Sequence, residues 1–136
     1  MHNEILLPNG WPRPKGYSNG MIGRGRLLTV GGQIGWTKEE VFESTDFIGQ
    51  WRQTLENIKA VLAAGGATPE HLTQMTIYVT DMPSYRAALP ELGKVWRDVL
   101  GKCFPSMALV GVTMLVEPKA LVEISAIALI PDEEVS

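Results

Sequence analysis

One carboxylate stands inside an otherwise apolar run near the C-terminus, Ala120-Leu121-Val122-Glu123-Ile124-Ser125-Ala126-Ile127-Ala128-Leu129-Ile130. A charge in such a run is costly unless it is paired, protonated or facing a wet cleft. On the residues alone, two readings of Glu123 carry equal weight. It is an ion-pair partner for a Lys or Arg at an interface, or an acid/base that holds a water or takes a proton from a substrate. Other candidates for chemistry are weaker. His2, His71 and Cys103 are far apart and lack ligand spacing, so no metal site is expected. Cys103 precedes Phe104-Pro105 with no base beside it and reads as an ordinary thiol rather than a nucleophile. His71, just after a short helix start, reads as a surface residue. Gly20-Met21-Ile22-Gly23-Arg24-Gly25 and Gly101-Lys102-Cys103 lack the dinucleotide and Walker spacings, and turn chemistry accounts for both. No Gly-x-Ser-x-Gly elbow is present.

Composition narrows the classes. A chain of 136 residues, 45% apolar and 20% charged, is expected to fold as one domain, residues 1–136, around a sizeable core. The net charge of −3 and the lack of a basic footprint argue against nucleic acid as a partner. The longest apolar run is far short of a membrane span, so no membrane partner is expected. No charged segment followed by an apolar stretch opens the chain, so no signal peptide is expected. With a single cysteine, the expected setting is reducing and cytoplasmic.

The elements that must position Glu123 are legible as periodicities. The run 120–130 is dense in β-branched residues, with no Gly or Pro, and predicts a strand. Alternation puts Glu123 with Leu121, Ser125 and Ile127. Val122, Ile124, Ala126 and Ala128 form the other face, whose small and branched side chains suit packing under helices. The first set is expected to face another sheet or another subunit. Upstream, Glu4–Leu7 predicts a short strand. Gly20–Gly23 and Leu27–Gly31 predict two more, joined as a hairpin through Arg24-Gly25-Arg26. Gly31-Gly32 marks a bulge or a close approach to a ligand. Phe47, Trp51, Leu55, Ile58 and Leu62 fall at helical spacing between Thr45 and Ala64. Ser44, Thr45 and Asp46 are N-cap candidates, and Gly65-Gly66 is the stop. Thr68-Pro69-Glu70 begins a small helix. Thr73–Thr80 alternates as a half-buried strand. A second helix is expected from Asp81 to about Leu100, weakened by Pro90 and Gly93, and Ser106–Leu115 is expected to be a strand. The order ββ-α-β-α-ββ is an α+β domain with two helices on one face of the sheet.

The pieces Gly16-Tyr17-Ser18, Val30-Gly31-Gly32-Gln33-Ile34, Gln53-Thr54-Leu55-Glu56-Asn57-Ile58-Lys59-Ala60-Val61-Leu62, Ala64-Gly65-Gly66-Ala67, Val79-Thr80-Asp81-Met82, Pro105-Ser106-Met107 and Leu121–Ala128 are matched in order. On these pieces the chain, over about residues 14–130, resembles the RidA family, also called the YjgF or endoribonuclease L-PSP family. The resemblance implies a chorismate-mutase-like α+β fold with a mixed sheet. It also implies a homotrimer with a central barrel and three clefts between subunits. It implies hydrolysis of reactive enamines or imines to ketoacids and ammonia, with a small-molecule substrate and no cofactor. By resemblance Glu123 handles water, and Tyr17, Gly31, Gly32 and Gln33 line the pocket together with Met107 and Leu109.

The chain departs from the family pattern where charge matters. Met107 stands where the family has an Arg that grips the substrate carboxylate, and a thioether cannot replace a bidentate guanidinium. Gly31 stands in place of a Ser, Leu109 in place of a Cys, and the Asn of the second helix is absent. Loss of the bidentate contact would weaken 2-imino acid binding by roughly 1.5–3 kcal/mol, about one to two decades in affinity. Arg13, Arg24 and Arg52 are candidates to compensate, although surface solvation is the more ordinary role of each. Trp11 is expected either to cover the pocket or to pack on a neighbouring subunit. The expectation is a deaminase-type hydrolase whose substrate depends less on an α-carboxylate than 2-aminoacrylate does. The alternative is a non-catalytic small-molecule-binding or chaperone-like trimer. Ribonuclease activity, the other label of the family, fits poorly with an acidic chain lacking a His pair.

Overall fold

The computed structural model describes residues 3–132, so His2 lies outside the described residues. Its principal sheet has four strands: β3 (Arg26–Ile34), β4 (Leu72–Val79), β5 (Ser106–Gly111) and β6 (Val122–Ile130), in the order β3-β6-β4-β5. β6 runs antiparallel to both neighbours, and β4 and β5 are parallel. The sheet is therefore mixed, and with the helices of the chain it makes the expected α+β architecture. β1 (Glu4–Leu6) and β2 (Gly20–Ile22) form a separate two-stranded ribbon.

That ribbon corrects the expected hairpin between β2 and β3. The edge of β2 is taken by β1, with Ile5 opposite Met21. Gly25, at φ +143°, carries the chain past the Ile130 carbonyl into β3 beside β6. A Cβ there would collide with that carbonyl, so the glycine serves a close approach and not a hairpin turn.

The helices follow from their stripes and caps. In α1 (Phe47–Ala64) the buried positions Trp51, Leu55, Ile58 and Leu62 recur on one face. Asp46 caps it, its Oδ1 accepting the Gly49 N–H at 2.6 Å. A 3-10 turn at Pro69–His71 leads into β4. The single helix expected from Asp81 to Leu100 is two helices, α2 (Met82–Ala87) and α3 (Leu89–Leu100), meeting at Ala88. Pro90 has no N–H to give and clashes inside a helix, but it fits the first turn of a new one. β5 ends at Gly111 and not at the expected Leu115. Its parallel partner β4 ends at Val79, opposite Gly111, so no strand remains alongside to hold the ladder.

The core lies between the helices and one face of the sheet. Val122, Ile124, Ala126 and Ala128 of β6 pack there with Met75, Ile77 and Val79 of β4 and Leu55, Ile58 and Leu62 of α1. Full burial of such a branched or linear apolar side chain contributes about 1.5–3 kcal/mol. One buried polar residue ties the layers together. Gln50, 1% exposed, donates through Nε2 to the carbonyls of Lys119 (2.9 Å) and Ser44 (3.3 Å). Its Oε1 accepts the Leu121 N–H at 2.8 Å. The first turn of α1 thereby holds the segment entering β6, one residue before the strand that carries Glu123. Replacing Gln50 with Leu would leave the Leu121 N–H and the Lys119 carbonyl without this partner. Urea denaturation should show a loss of about 2–4 kcal/mol in unfolding free energy. An unchanged midpoint would show that Gln50 is no clamp.

Candidate functional site

The site is built on two faces of one sheet. On β6, Glu123 stands opposite Tyr78 of β4 and Ile34 of β3. Directly opposed residues of antiparallel strands project to the same side. Glu123 therefore shares with Tyr78, Thr76 and Ser125 the face away from the helices, while Val122 and Ile124 are fully buried on the other. That face is only partly covered, with Leu27 66% and Val110 42% exposed. The pleat expected from sequence is the one observed.

β3 brings its glycines to this carboxylate. Between Val30 and Gln33 it takes three steps while β6 takes two, from Ala126 to Ile124, which is a bulge. A Cβ on Gly32 would come 2.5 Å from Glu123 Oε2, so the carboxylate lies over the bare α-carbon and any side chain there would displace it. Gly31 has open space around it. Gln33 folds back, its Nε2 donating to the Gly31 carbonyl at 3.2 Å. Among the described residues Glu123 has no ion pair and no side-chain hydrogen bond. The salt bridge seen there, Arg52 to Asp98 at 3.1 Å, lies on the exposed surface of α1 and α3. The ion-pair reading of Glu123 thus finds no partner within the described chain.

Tyr17, Met107 and Leu109 are elsewhere. On β5, Met107 pairs with Met75 and Leu109 with Ile77, residues of the helix-covered face. Together with Lys15, Gly16 and Tyr17 of the first loop they line a cleft of about 370 Å³. Its remaining walls are Trp51, Ile77, Tyr85, Leu89, Leu92, Gly93, Trp96 and Phe104. The first loop is pinned beside β5 by Ser18. Its N–H donates to the Pro105 carbonyl (3.1 Å) and its hydroxyl to the Phe104 carbonyl (2.5 Å). Within one chain, then, Met107 and Leu109 do not adjoin Glu123. β4 lies between β5 and β6, and Met107 and Leu109 take the helix side while Glu123 takes the other.

Sequence reading missed the aromatic wall. Trp51 and Trp96 fall on ordinary helical stripes, and nothing in their spacing separates a cleft wall from a core position. Arg13, Arg24 and Arg52 do not line this cleft, in keeping with the surface role that is the more ordinary expectation for each, and the cation that does is Lys15. Trp11 is 56% exposed and is not part of the lining. No group of three or more His, Cys, Asp or Glu among the described residues is placed to hold a metal ion. No helix among them is long and apolar enough to cross a membrane.

The family model described as endoribonuclease L-PSP matches residues 12–130. A RutC family protein from Pyrococcus horikoshii is 33% identical over 127 residues, covering 92% of this chain and 96% of its own. A protein named 3-aminoacrylate deaminase RutC from Acinetobacter baylyi is 29% identical over 129 residues, covering 94% and 98%. Among solved structures, the Rid family protein YyfB of Yersinia pestis superposes with a TM-score of 0.83 at 28% identity. It covers 96% of this chain and 100% of that one.

Burial sets the titration of two groups near the cleft. It pushes the Tyr85 phenol above its ordinary 10.0. It also pushes the Cys103 thiol above its ordinary 9.0, with the Glu70 carboxylate adding to the effect. Cys103 is thus held as the thiol, the inert form. For both groups the folded state keeps the proton more tightly than the unfolded chain does. Their contribution to stability is complete below the ordinary values and is lost as pH rises through the raised ones. The melting temperature should therefore fall as pH rises above 9. Replacing Cys103 with Ser and Tyr85 with Phe should flatten that fall, and an equally steep fall in the double variant would refute the assignment.

Proposed function

The chain belongs to the endoribonuclease L-PSP family, the RidA/YjgF family, and from that premise we propose that it is a deaminase-type hydrolase of a small enamine or imine. The observation that carries the reading is the placement of Glu123. It is a half-buried carboxylate with no ion-pair partner among the described residues, and it lies over the bare backbone of Gly32 beside the open space at Gly31. The name of the relative from Acinetobacter baylyi, a 3-aminoacrylate deaminase, supports the same chemistry.

In this reading water adds to the carbon of the C=N bond, with Glu123 taking a proton from the water as it attacks. Returning that proton to nitrogen gives the carbinolamine. Passing its hydroxyl proton to nitrogen, again through Glu123, lets the C–N bond break as the C=O bond forms, leaving a carbonyl compound and ammonia. The balance is one imine and one water to one carbonyl and one ammonia, and no cofactor is needed. Tyr17 and the backbone N–H groups of the Gly31–Gln33 bulge would hold the substrate. Met107 and Leu109 would face it with apolar surface. A substrate bound this way leans less on an α-carboxylate than 2-aminoacrylate does. The setting would be cytoplasmic.

The division of the site across the sheet supports a homotrimer. Glu123 and the Tyr17–Met107 cleft lie on opposite faces of one chain, so one chain cannot bring both to one substrate. A second copy, its Glu123 face set against the cleft of the first, can. Light scattering after gel filtration should then give three times the chain's 14.9 kDa. Replacing Glu123 with Gln should lower ammonia release from an imine panel by about 10²–10⁴-fold without changing the melting temperature. Equal activity in that variant would end the catalytic reading. The missing arginine favours a second reading, a ligand-binding trimer without turnover. A ligand recovered unchanged after prolonged incubation, with no ammonia from any imine, would select it.

A further inference from the structure

The cleft beside Met107 is walled by rings where the family pattern has charge. Trp51 meets Trp96 with centroids 6.3 Å apart and Tyr85 at 6.2 Å. Trp96 lies within 7° of parallel to Phe104, again with centroids 6.3 Å apart. The wall is fixed, since the Trp96 indole N–H donates to the Cys103 carbonyl at 2.8 Å. Trp51 differs: its Nε1 is buried without a partner among the described residues. A buried indole N–H ordinarily finds an acceptor, and an acceptor on a bound molecule would supply one after a small shift of the ring. The one cation in the lining, Lys15, is on an exposed loop, where water and salt screen it. At about 370 Å³ the cleft sits at the lower end of the roughly 300–1,000 Å³ range of small-molecule pockets.

A small imine whose only handle is a carboxylate meets a thioether and indoles here. A planar ring meets tilted and parallel aromatic faces, which favour edge-to-face and offset-stacked contact, and a sulfur for the ring edge. We propose that the cleft recognises its substrate through a planar aromatic group, so that the chain acts on aryl-substituted imines or enamines in preference to small aliphatic ones. The inference rests on the deaminase reading for its chemistry, but binding can be tested without turnover.

Calorimetry on the unmodified protein, with phenylacetamide, isobutyramide and propionate as probes, tests it directly. Phenylacetamide should bind at least tenfold more tightly than either aliphatic probe. Aliphatic probes that bind as well, or a failure of all three to bind, would overturn the proposal. A Met107→Arg variant, which fills the cleft and charges it, should weaken phenylacetamide at least fivefold. Unchanged affinity in a folded variant would place the ligand elsewhere and sink the idea, and if that variant does not fold the unmodified series decides. The two readings fail separately. A ring preference with no ammonia from any imine removes the deaminase and keeps the cleft. Ammonia release with no ring preference does the reverse.

Discussion

The pleat of β6 is the constraint on which the rest of the structure depends. Because successive side chains on a strand point to opposite faces, a strand at the centre of a sheet must satisfy two environments at once. Val122, Ile124, Ala126 and Ala128 pack under the helices and are nearly or fully inaccessible to water. That burial sets the register of β6 against both β3 and β4. A slip of one residue would bring Glu123 into the core, where an unpaired carboxylate costs several kcal/mol or more. The apolar set and the carboxylate therefore enforce the same register from opposite sides, and the position of Glu123 is a consequence of the core and not of any contact of its own.

The bulge on β3 belongs to the same argument. The extra residue between Val30 and Gln33 shifts the register so that Ile34 stands opposite Glu123, and the carboxylate lies over the bare Gly32, in the room that a Cβ would take. Gln50 acts one step earlier in the chain, holding Leu121 and Lys119 to the start of α1. Fold and site are thus coupled through a few atoms near the entry to β6. That coupling explains why so much of the site could be read in advance. Alternation along 120–130 located the core face and the face of Glu123. The glycine pair announced the bulge, and the stripe and caps of α1 announced the helix. Strand order was not legible. Nothing in the local pattern of Ser106–Gly111 says that β4 will lie between it and β6, because pairing is decided by where α2 and α3 deliver the chain. For the same reason the hairpin expected at Arg24–Arg26 failed: a turn signal states that the chain reverses, not which strand it will pair with.

An aromatic wall and an arginine at position 107 would make opposite demands on this cleft. An arginine at position 107 would project from β5 among Trp51, Trp96 and Phe104, in a cleft whose lining holds no Asp or Glu. Stacking on the rings would recover part of its lost hydration. The remainder would have to come from water or from the carboxylate of a ligand, so an arginine there keeps the cleft wet until an anion arrives. Methionine removes that demand. Its thioether lets the rings close on one another and on an uncharged guest, at the cost of the bidentate grip on a carboxylate. Charge and ring packing compete for the same few hundred cubic ångströms, and in this chain the packing side of that competition is the one built into α1, α3 and β5.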